Sequence, residues 1–416
     1  MFPFSQVIPL IFGQFLRSFL DPQFLPLYLV VVLIIAIQYN RMERIRESFF
    51  GVKTGRAGTD TLVALGFGLL GGLAGSIVLI FVGLTISGEL YYLWPVAVLL
   101  MLVDMRFLCF AYAGGILALS NLLLGFPQIN VPQIIALVAI LHMVESFLIL
   151  ASGHLGAVPA YIKVSGGQIV GGFTLQKFWP IPIVALYVAV TGTVERAVDM
   201  PAWWPLIKPG VPGDPQSLSF VLLSVVAGLG YGDIAIARSP VEKSRLSSFY
   251  LGIYSVILLV LAVLAGQNRI MALVAAIFSP LGHEVVIYIG RRIEFRGKPL
   301  YVPPEKGIRV LDVVPDGPAW KAGLRSGDII YSINGKKLAD RGEFYQWLQD
   351  HPLPLVVDFF SRAAGVYKFG IMHSPGPGKP WGVVPVPEGV EAGYVKLQTT
   401  GFLGRWLRRG FRKFTR

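Results

Sequence analysis

The chain has 416 residues, of which 54% are hydrophobic and only 14% are charged. Soluble globular domains carry about 25% charged residues, so this composition excludes an ordinary soluble protein and indicates a membrane protein. The net charge of +12 arises from basic residues between apolar runs and after Arg291, which favours loops at an anionic membrane leaflet over nucleic-acid binding. The single cysteine, Cys109, excludes an intrachain disulfide.

Apolar runs near the ~20 residues that cross a bilayer recur through residues 1–290. The start, MFPFSQVIPLIFGQFLRSFL, lacks the features of a signal peptide, so we expect it to be retained, with 4–20 as an interfacial element. We predict an α-helical polytopic membrane domain with about nine transmembrane helices, at residues 24–39, 60–87, 91–103, 107–125, 132–151, 178–194, 217–236, 247–265 and 270–289.

Basic residues between these spans indicate their orientation. The segment RMERIRESFFGVKTGR at 41–56 contains five basic residues, and others flank the later loops and follow the last span. With nine spans and an external N-terminus, all these segments fall on one side, as the positive-inside rule requires. We therefore expect a multi-pass protein of the plasma membrane with a cytoplasmic C-terminal part.

A glycine-rich run, GFGLLGGLAGS at 66–76, lies inside the second predicted span. Small residues at this spacing let helices approach closely, so we interpret the run as a packing face. It lacks the Lys-Ser/Thr of a phosphate-binding loop, which argues against nucleotide binding.

The run at 132–151 contains two ionisable side chains, which are costly inside a membrane and often functional. His142 and Glu145, in LHMVESFLILASGH, are three residues apart and share one face of a helix. The inverted zinc motif HxxEH needs a further histidine where Ser146 stands. We therefore expect Glu145 to accept a hydrogen bond from His142 and to fix helix packing.

A second polar pair, His283 and Glu284, lies near the end of the last span in SPLGHEVVIYIGRR. The zinc motif HExxH needs a second histidine where Ile287 stands. We therefore predict no metal, no cofactor and no catalytic residues. The pair is interpreted as a polar packing contact in which Glu284 pairs with Arg291 or Arg292.

After Gly290 the composition changes to that of a small α/β domain, which we place at 293–373. Strand-like patches alternate with Gly-Asp and Asn-Gly turns. Asp340 and Glu343 form a capping-box pattern that starts one amphipathic helix, and Pro352 ends it.

The segment GIRVLDVVPDGPAWKAGLRSGDIIYSINGKKL at 307–338 resembles a bacterial PDZ domain in the order of its strands, turns and short helix. PDZ domains bind extended peptides by adding a strand to an open sheet edge beside a helix. The resemblance implies an edge formed by Lys306, Gly307, Ile308 and Val310, and a pocket lined by the helix residues Phe344, Trp347 and Leu348. Plain domain core is the alternative for the helix residues.

The chain ends in a Pro/Gly-rich segment at 374–395, predicted to be a linker, and a basic tail at 396–416. In GFLGRWLRRGFRKFTR, apolar residues fill about half of a helical wheel and basic residues fill the rest. This pattern predicts an amphipathic helix on an anionic leaflet, worth about 1 kcal/mol per basic residue near the surface. Its membrane-surface residues would be Arg405, Trp406, Arg408, Arg409, Arg412 and Lys413. A disordered tail or a helix docked on the PDZ domain is the alternative.

A long multi-span part, one PDZ domain and a basic end occur in this order in the MinJ-like polytopic PDZ proteins of Firmicutes, which the chain resembles. Those proteins help to place the division septum. The resemblance implies a non-enzymatic membrane scaffold at the septum or the cell poles. Its partners would be a DivIVA-like polar scaffold and a MinD-like ATPase, together with the lipid bilayer and without nucleic acid.

Two other classes of function stay open. An intramembrane metalloprotease or processing protein would use His142, Glu145 and His283 as a composite site, and the chain is distantly similar to site-2 proteases. In those enzymes a later span supplies an Asp-Gly motif, whereas here the PDZ domain follows the last span. A transporter would need charged or broken helices at mid-membrane, for which Glu145 and His142 are the candidates.

Overall fold

The computed structural model describes residues 2–51, 55–86, 90–164, 167–189, 198–210, 218–350, 354–376 and 380–389. Within them the chain forms two parts. The membrane part, residues 2–297, consists of helices around a long β-hairpin, and the C-terminal domain, residues 298–389, is a small sheet with two helices.

The described residues of the membrane part form eight α-helices and three strands. The first six helices are α1 (Phe4–Ser18), α2 (Phe24–Phe50), α3 (Ala57–Val82), α4 (Leu90–Val103), α5 (Phe110–Leu124) and α6 (Val131–Ser152), with a short 3-10 helix, Met105–Leu108, between α4 and α5. After them come β1 (Val158–Lys163), β2 (Ile169–Ala189), β3 (Ser219–Ala235), α7 (Pro240–Ala265) and α8 (Arg269–Arg296).

Five of these helices, α2, α3, α6, α7 and α8, are long and apolar enough to cross a membrane. The helices α4 and α5 have only 14 and 15 residues. At 1.5 Å per residue each covers roughly 21 Å, which is less than the ~30 Å hydrocarbon core. Several apolar spans are thus confirmed, whereas the number of nine is not.

The predicted helices at 178–194 and 217–236 are wrong, because their described residues are strands. β2 and β3 form one continuous antiparallel ladder. Pro180 and Pro182 disfavour a helix in this segment, since each removes an amide donor. Successive residues of a strand bond to alternate sides, and both prolines have their nitrogens on the side away from β3, so the ladder loses no bond.

Helix α3 covers the edge of β2 that faces away from β3. A Cβ at Gly68 or Gly72 would collide with a proline carbonyl oxygen of β2, so only glycine permits this approach. One turn further, the Val184 N–H donates to Ser76 Oγ at 2.8 Å. An uncovered sheet edge is not tolerated in hydrocarbon, and the glycine-rich run allows α3 to cover this edge of β2. The run is a packing face, but its partner is a strand.

Charged side chains join several elements at one end of the membrane part. Arg46, near the end of α2, lies 3.2 Å from Glu43 and 3.4 Å from Asp60 of α3. Its guanidinium also donates to the Gly156 carbonyl, just after α6, at 2.9 Å. The basic end of α2, the start of α3 and the end of α6 therefore lie together.

The same end holds the junction of β3, α7 and α8. Lys243 of α7 pairs with Asp233 of β3 at 2.9 Å. Glu294, near the end of α8, is buried and accepts the backbone N–H groups of Ile236 and Ala237 at 2.8 Å each. These contacts fix the direction in which α8 leads into the C-terminal domain.

The C-terminal domain contains six strands and two helices in the described residues. They are β4 (Ile308–Val313), α9 (Pro318–Lys321), β5 (Ile329–Ile333), β6 (Lys336–Lys337), α10 (Arg341–Asp350), β7 (Leu355–Ser361), β8 (Val366–Met372) and β9 (Val383–Pro385). The sheet has the order β8-β7-β5-β4-β9, and β6 pairs with β5.

The C-terminal domain packs directly against the strands of the membrane part. The Gly171 N–H donates to the Tyr301 carbonyl at 2.9 Å, and the Leu300 N–H donates to the Ile236 carbonyl at 2.8 Å. The Tyr301 ring is buried against Phe173, with the ring centroids 5.2 Å apart. Main-chain bonds and aromatic packing thus hold the domain close to the hairpin.

Candidate functional site

The strand predicted to receive a peptide lies inside the sheet. β4 pairs with β5 through Ile308 and with β9 between Val310 and Val313. β9 comes from 374–395, the segment predicted to be a linker. The prediction placed the open edge at β4, whereas the terminal strands of the sheet are β8 and β9.

The residues predicted for the peptide edge have other roles. Lys306 is exposed ahead of β4, while Ile308 and Val310 are buried in the core of the domain. Gly307 has a φ of 80°, and a Cβ there would collide with the Ile330 carbonyl. Gly307 therefore allows the backbone turn that leads into β4.

The helix residues divide between core and surface. Phe344 is completely buried, so it belongs to the domain core. Trp347 and Leu348 are half-buried and pack against the same core. Only these two of the three predicted pocket residues have surface left for a ligand.

Helix α10 runs alongside β9, and contacts at both ends hold the two together. The Trp381 indole donates to the Leu348 carbonyl at 2.6 Å. At the other end the Arg341 N–H donates to Glu388 Oε1 at 3.2 Å. We call this border of the domain, from Trp381 to Glu388 with the facing side of α10, the α10–β9 edge.

The outer side of β9 presents main-chain groups. The Gly382 carbonyl and the Val386 N–H bond to the backbone on the β4 side at 2.8 and 3.0 Å. Because successive residues of a strand bond to opposite sides, Val383 points its N–H and C=O away from β4. The Pro385 carbonyl, on the same outer side, accepts the Tyr161 hydroxyl of β1 at 3.2 Å. The α10–β9 edge thus lies next to the membrane part.

Sequence reasoning missed Trp381, Gly382 and Val383 as parts of a site. The signal was present in PWGVVPV, where a large aromatic residue and a glycine precede three valines within four residues. The many Pro and Gly residues around it favoured a linker instead.

In the membrane part, two of the predicted polar residues come together from different helices. His142 lies near the middle of α6 and His283 near the middle of α8, with ring centroids 5.2 Å apart. Cys109, at the N-terminus of α5, has its Sγ 3.0 Å from Nε2 of His142 and 3.7 Å from Nε2 of His283. These three ligand atoms lie within 4.8 Å of one another.

Glu145 does not have the predicted role. His142 Nδ1 lies 2.7 Å from the Val138 carbonyl of its own helix, so this nitrogen is not bonded to Glu145. Glu145 is also not one of the three residues whose ligand atoms converge in the described chain.

Glu284 is held by partners that the sequence did not suggest. Its Oε1 accepts the Tyr112 hydroxyl at 2.8 Å and lies 3.4 Å from Arg106. The expected pairing with Arg291 or Arg292 does not occur among the described residues. The carboxylate of Glu284 is paired instead with Arg106, which lies on the 3-10 helix before α5.

Cys109 was missed as a potential ligand because it lies in the apolar run predicted as the span 107–125 and belongs to neither zinc motif. The segment DMRFLC breaks the apolar pattern, and Asp104 caps its 3-10 helix by accepting the Arg106 N–H at 3.2 Å. Here α4 and α5 meet at the level of His142 and His283. Non-helical backbone at membrane depth is tolerated only where protein or water surrounds it.

The predicted membrane-surface residues Arg405, Trp406, Arg408, Arg409, Arg412 and Lys413 lie outside the described residues.

Comparisons with known proteins concern the C-terminal domain and the chain as a whole. Residues 309–358 match the PDZ domain family, so the predicted PDZ domain is confirmed. The chain is also similar to "Cell division topological determinant MinJ" of Bacillus subtilis (strain 168), with 25% identity over 352 residues. The match covers 80% of this chain and 83% of that protein. The predicted resemblance to MinJ-like PDZ proteins is thereby confirmed.

Proposed function

We propose that this MinJ-like chain is a membrane adaptor of the division machinery, which holds a PDZ domain at the cytoplasmic face of the plasma membrane and recruits partner proteins. The similarity to a cell division topological determinant supports a role in cell division. The observation that carries the mechanism is the α10–β9 edge, where a strand with outward main-chain groups runs beside a helix with half-buried apolar side chains.

The cytoplasmic orientation rests on the distribution of basic residues. The end of α2, the start of α3, the start of α7 and the end of α8 all carry Lys or Arg and lie at one end of the bundle. By the positive-inside rule this end is cytoplasmic. The β2–β3 hairpin leaves from this end and returns to it, as two helical spans would, so replacing those spans by strands does not change the orientation.

Peptide capture would use strand addition. Val383 can exchange main-chain hydrogen bonds with an extended segment, while Leu348 and Trp347 supply apolar contact for its side chains. We propose a DivIVA-like scaffold and a MinD-like ATPase as the partners, with a septal or polar location for the complex.

We further propose that the chain acts without catalysing a reaction. In an HExxH protease the glutamate must be available as a base beside the metal-bound water. Glu284, the carboxylate of the HE pair, is instead engaged by Tyr112 and Arg106.

A charge placed in the α10–β9 edge tests this proposal. Leu348→Arg is expected to reduce capture of the DivIVA-like or MinD-like protein of the same organism at least about tenfold, or 1.4 kcal/mol, in a pull-down with the full chain. The matched control is Gln346→Arg, an exposed position of the same helix that faces away, which should retain capture. Ile308→Asp is unsuitable, because it would place a charge in the core.

Capture unchanged by Leu348→Arg would refute the α10–β9 mechanism, provided that both variants reach the membrane at the native level and melt at the native temperature. The division role has a separate test. A fluorescent fusion should form foci at septa or poles, and an even signal along the whole membrane would refute that role.

A further inference from the structure

Cys109, His142 and His283 come from three helices and meet inside an apolar bundle. A cysteine thiolate and two imidazole nitrogens are ligands that zinc prefers in proteins. His142 is buried and Cys109 and His283 are half-buried, and polar groups at this depth need partners because hydrocarbon supplies none. The question is whether the three side chains can satisfy one another without an ion.

The proton on His142 can be assigned from its surroundings. Nδ1 of His142 lies 2.7 Å from the carbonyl oxygen of Val138. A carbonyl oxygen only accepts hydrogen bonds, so Nδ1 carries the proton and Nε2 carries a lone pair. That lone pair faces Cys109 Sγ at 3.0 Å.

The proton on His283 follows from a chain of contacts. Glu284 is ion-paired with Arg106 at 3.4 Å, so its carboxylate accepts the hydroxyl hydrogen of Tyr112 at 2.8 Å. The Tyr112 oxygen then accepts from Nδ1 of His283 at 3.3 Å. Nε2 of His283 therefore also carries a lone pair, and it lies 3.7 Å from Cys109 Sγ.

Two lone pairs thus face a single S–H group. The thiol proton of Cys109 can satisfy His142 or His283, and the other nitrogen is left without a donor. One cation bonded to the thiolate and to both Nε2 atoms would satisfy all three groups. We propose that Cys109, His142 and His283 bind a thiophilic transition-metal ion, zinc first, with release of the thiol proton to solvent.

The distances are close to those a zinc ion needs. With Zn–S of about 2.3 Å and Zn–N of about 2.0–2.1 Å, tetrahedral geometry separates sulfur and nitrogen by about 3.5 Å. The two observed separations, 3.0 and 3.7 Å, lie on either side of this value. Each histidine also donates its Nδ1–H, to the Val138 carbonyl or to the Tyr112 hydroxyl. Metal-bound histidines usually make such a hydrogen bond, which fixes the orientation of the ring.

The ion would join side chains of α6 and α8 to the residue that precedes α5. Cys109 sits where the short helices α4 and α5 meet, while His142 and His283 belong to the long helices α6 and α8. A bound metal would therefore hold the α4–α5 turn against the two long helices, and its loss would release that turn.

Metal analysis of the purified full chain tests the site. We expect one zinc ion per chain after loading in nanodiscs and removal of excess metal, and a fall to background in Cys109→Ser, His142→Gln and His283→Gln. The matched controls are Glu145→Gln on α6 and His154→Gln just after it, and both should keep the zinc. Zinc at background in the native chain, or zinc retained by the three ligand variants, would overturn the proposal.

Two further measurements separate binding from misfolding. Cobalt loaded in place of zinc should give a thiolate-to-cobalt charge-transfer band that is absent from Cys109→Ser. Zinc should also raise the melting temperature of the native chain and leave that of Cys109→Ser unchanged. Equal rises in both proteins, or a cobalt spectrum without the thiolate band, would overturn the assignment of Cys109 as a ligand.

Discussion

Substitution of the two members of one buried ion pair should destabilise the protein unequally. Lys243 of α7 is fully buried, and its Nζ lies 2.9 Å from Oδ2 of Asp233. Asp233 has further support, because its side chain is 24% exposed and accepts the Ser247 hydroxyl and the Ile234 N–H at 2.8 Å each. For the Lys243 ammonium the described chain contains no second ion-pair partner.

The magnitudes follow from this asymmetry. At an effective dielectric constant of about 20, charges 2.9 Å apart attract by about 6 kcal/mol, most of which offsets the loss of hydration. Asp233→Ala leaves the buried Lys243 ammonium without its ion-pair partner and should lower the free energy of unfolding by about 3–5 kcal/mol. Lys243→Met leaves a carboxylate with its other bonds, so about 1–3 kcal/mol is expected. The double variant Asp233→Leu with Lys243→Met should be no less stable than Lys243→Met alone, since an apolar pair replaces the two charges.

Melting temperatures of the purified full chain, read by size-exclusion chromatography after heating, give the order of these variants. The expected order of stability is native, then Lys243→Met together with the double variant, then Asp233→Ala. Ser247→Ala serves as a control for the neighbouring hydrogen bond. An equal loss from both single variants, or a double variant as unstable as the sum of the two, would refute the reasoning.

Two other predictions concern the hairpin and the PDZ domain. Ser76→Ala should lower stability by about 1–3 kcal/mol, because the Val184 N–H loses its acceptor between β2 and α3, and a native melting curve would contradict this. Burial raises the pKa of Asp312 in β4 from 3.8 to about 7, so the folded domain holds this proton more tightly than the unfolded chain does. Stability should therefore fall as the pH rises from about 4 to about 7 and then level off. Asp312→Asn should flatten the profile, and a slope that persists in this variant would show that another group titrates.

Local pattern was sufficient for the PDZ domain and for the long apolar helices. The Asn-Gly turn, the Gly-Asp strand start and the capping Asp340 act within a few residues of the chain, so the sequence predicts them directly. Length and hydropathy likewise predict α2, α3, α6, α7 and α8.

Local pattern failed where an apolar strand resembles an apolar helix. A continuous hydrophobic run has no period that separates the two, and the segments at 178–194 and 217–236 were predicted as helices for that reason. The decisive feature is the fit of β2 against the glycines of α3, which are distant in sequence.

By itself the sequence determined that this is a membrane protein with a PDZ domain after its last apolar span, because composition, run length and turn residues are local properties. Only the tertiary structure decided which strand forms the edge beside α10 and which residues meet His142. The peptide edge depends on β9 pairing with β4, and the Cys109 cluster depends on three helices meeting at one depth. Both are contacts between residues far apart in the chain, and packing selects such contacts where local pattern cannot.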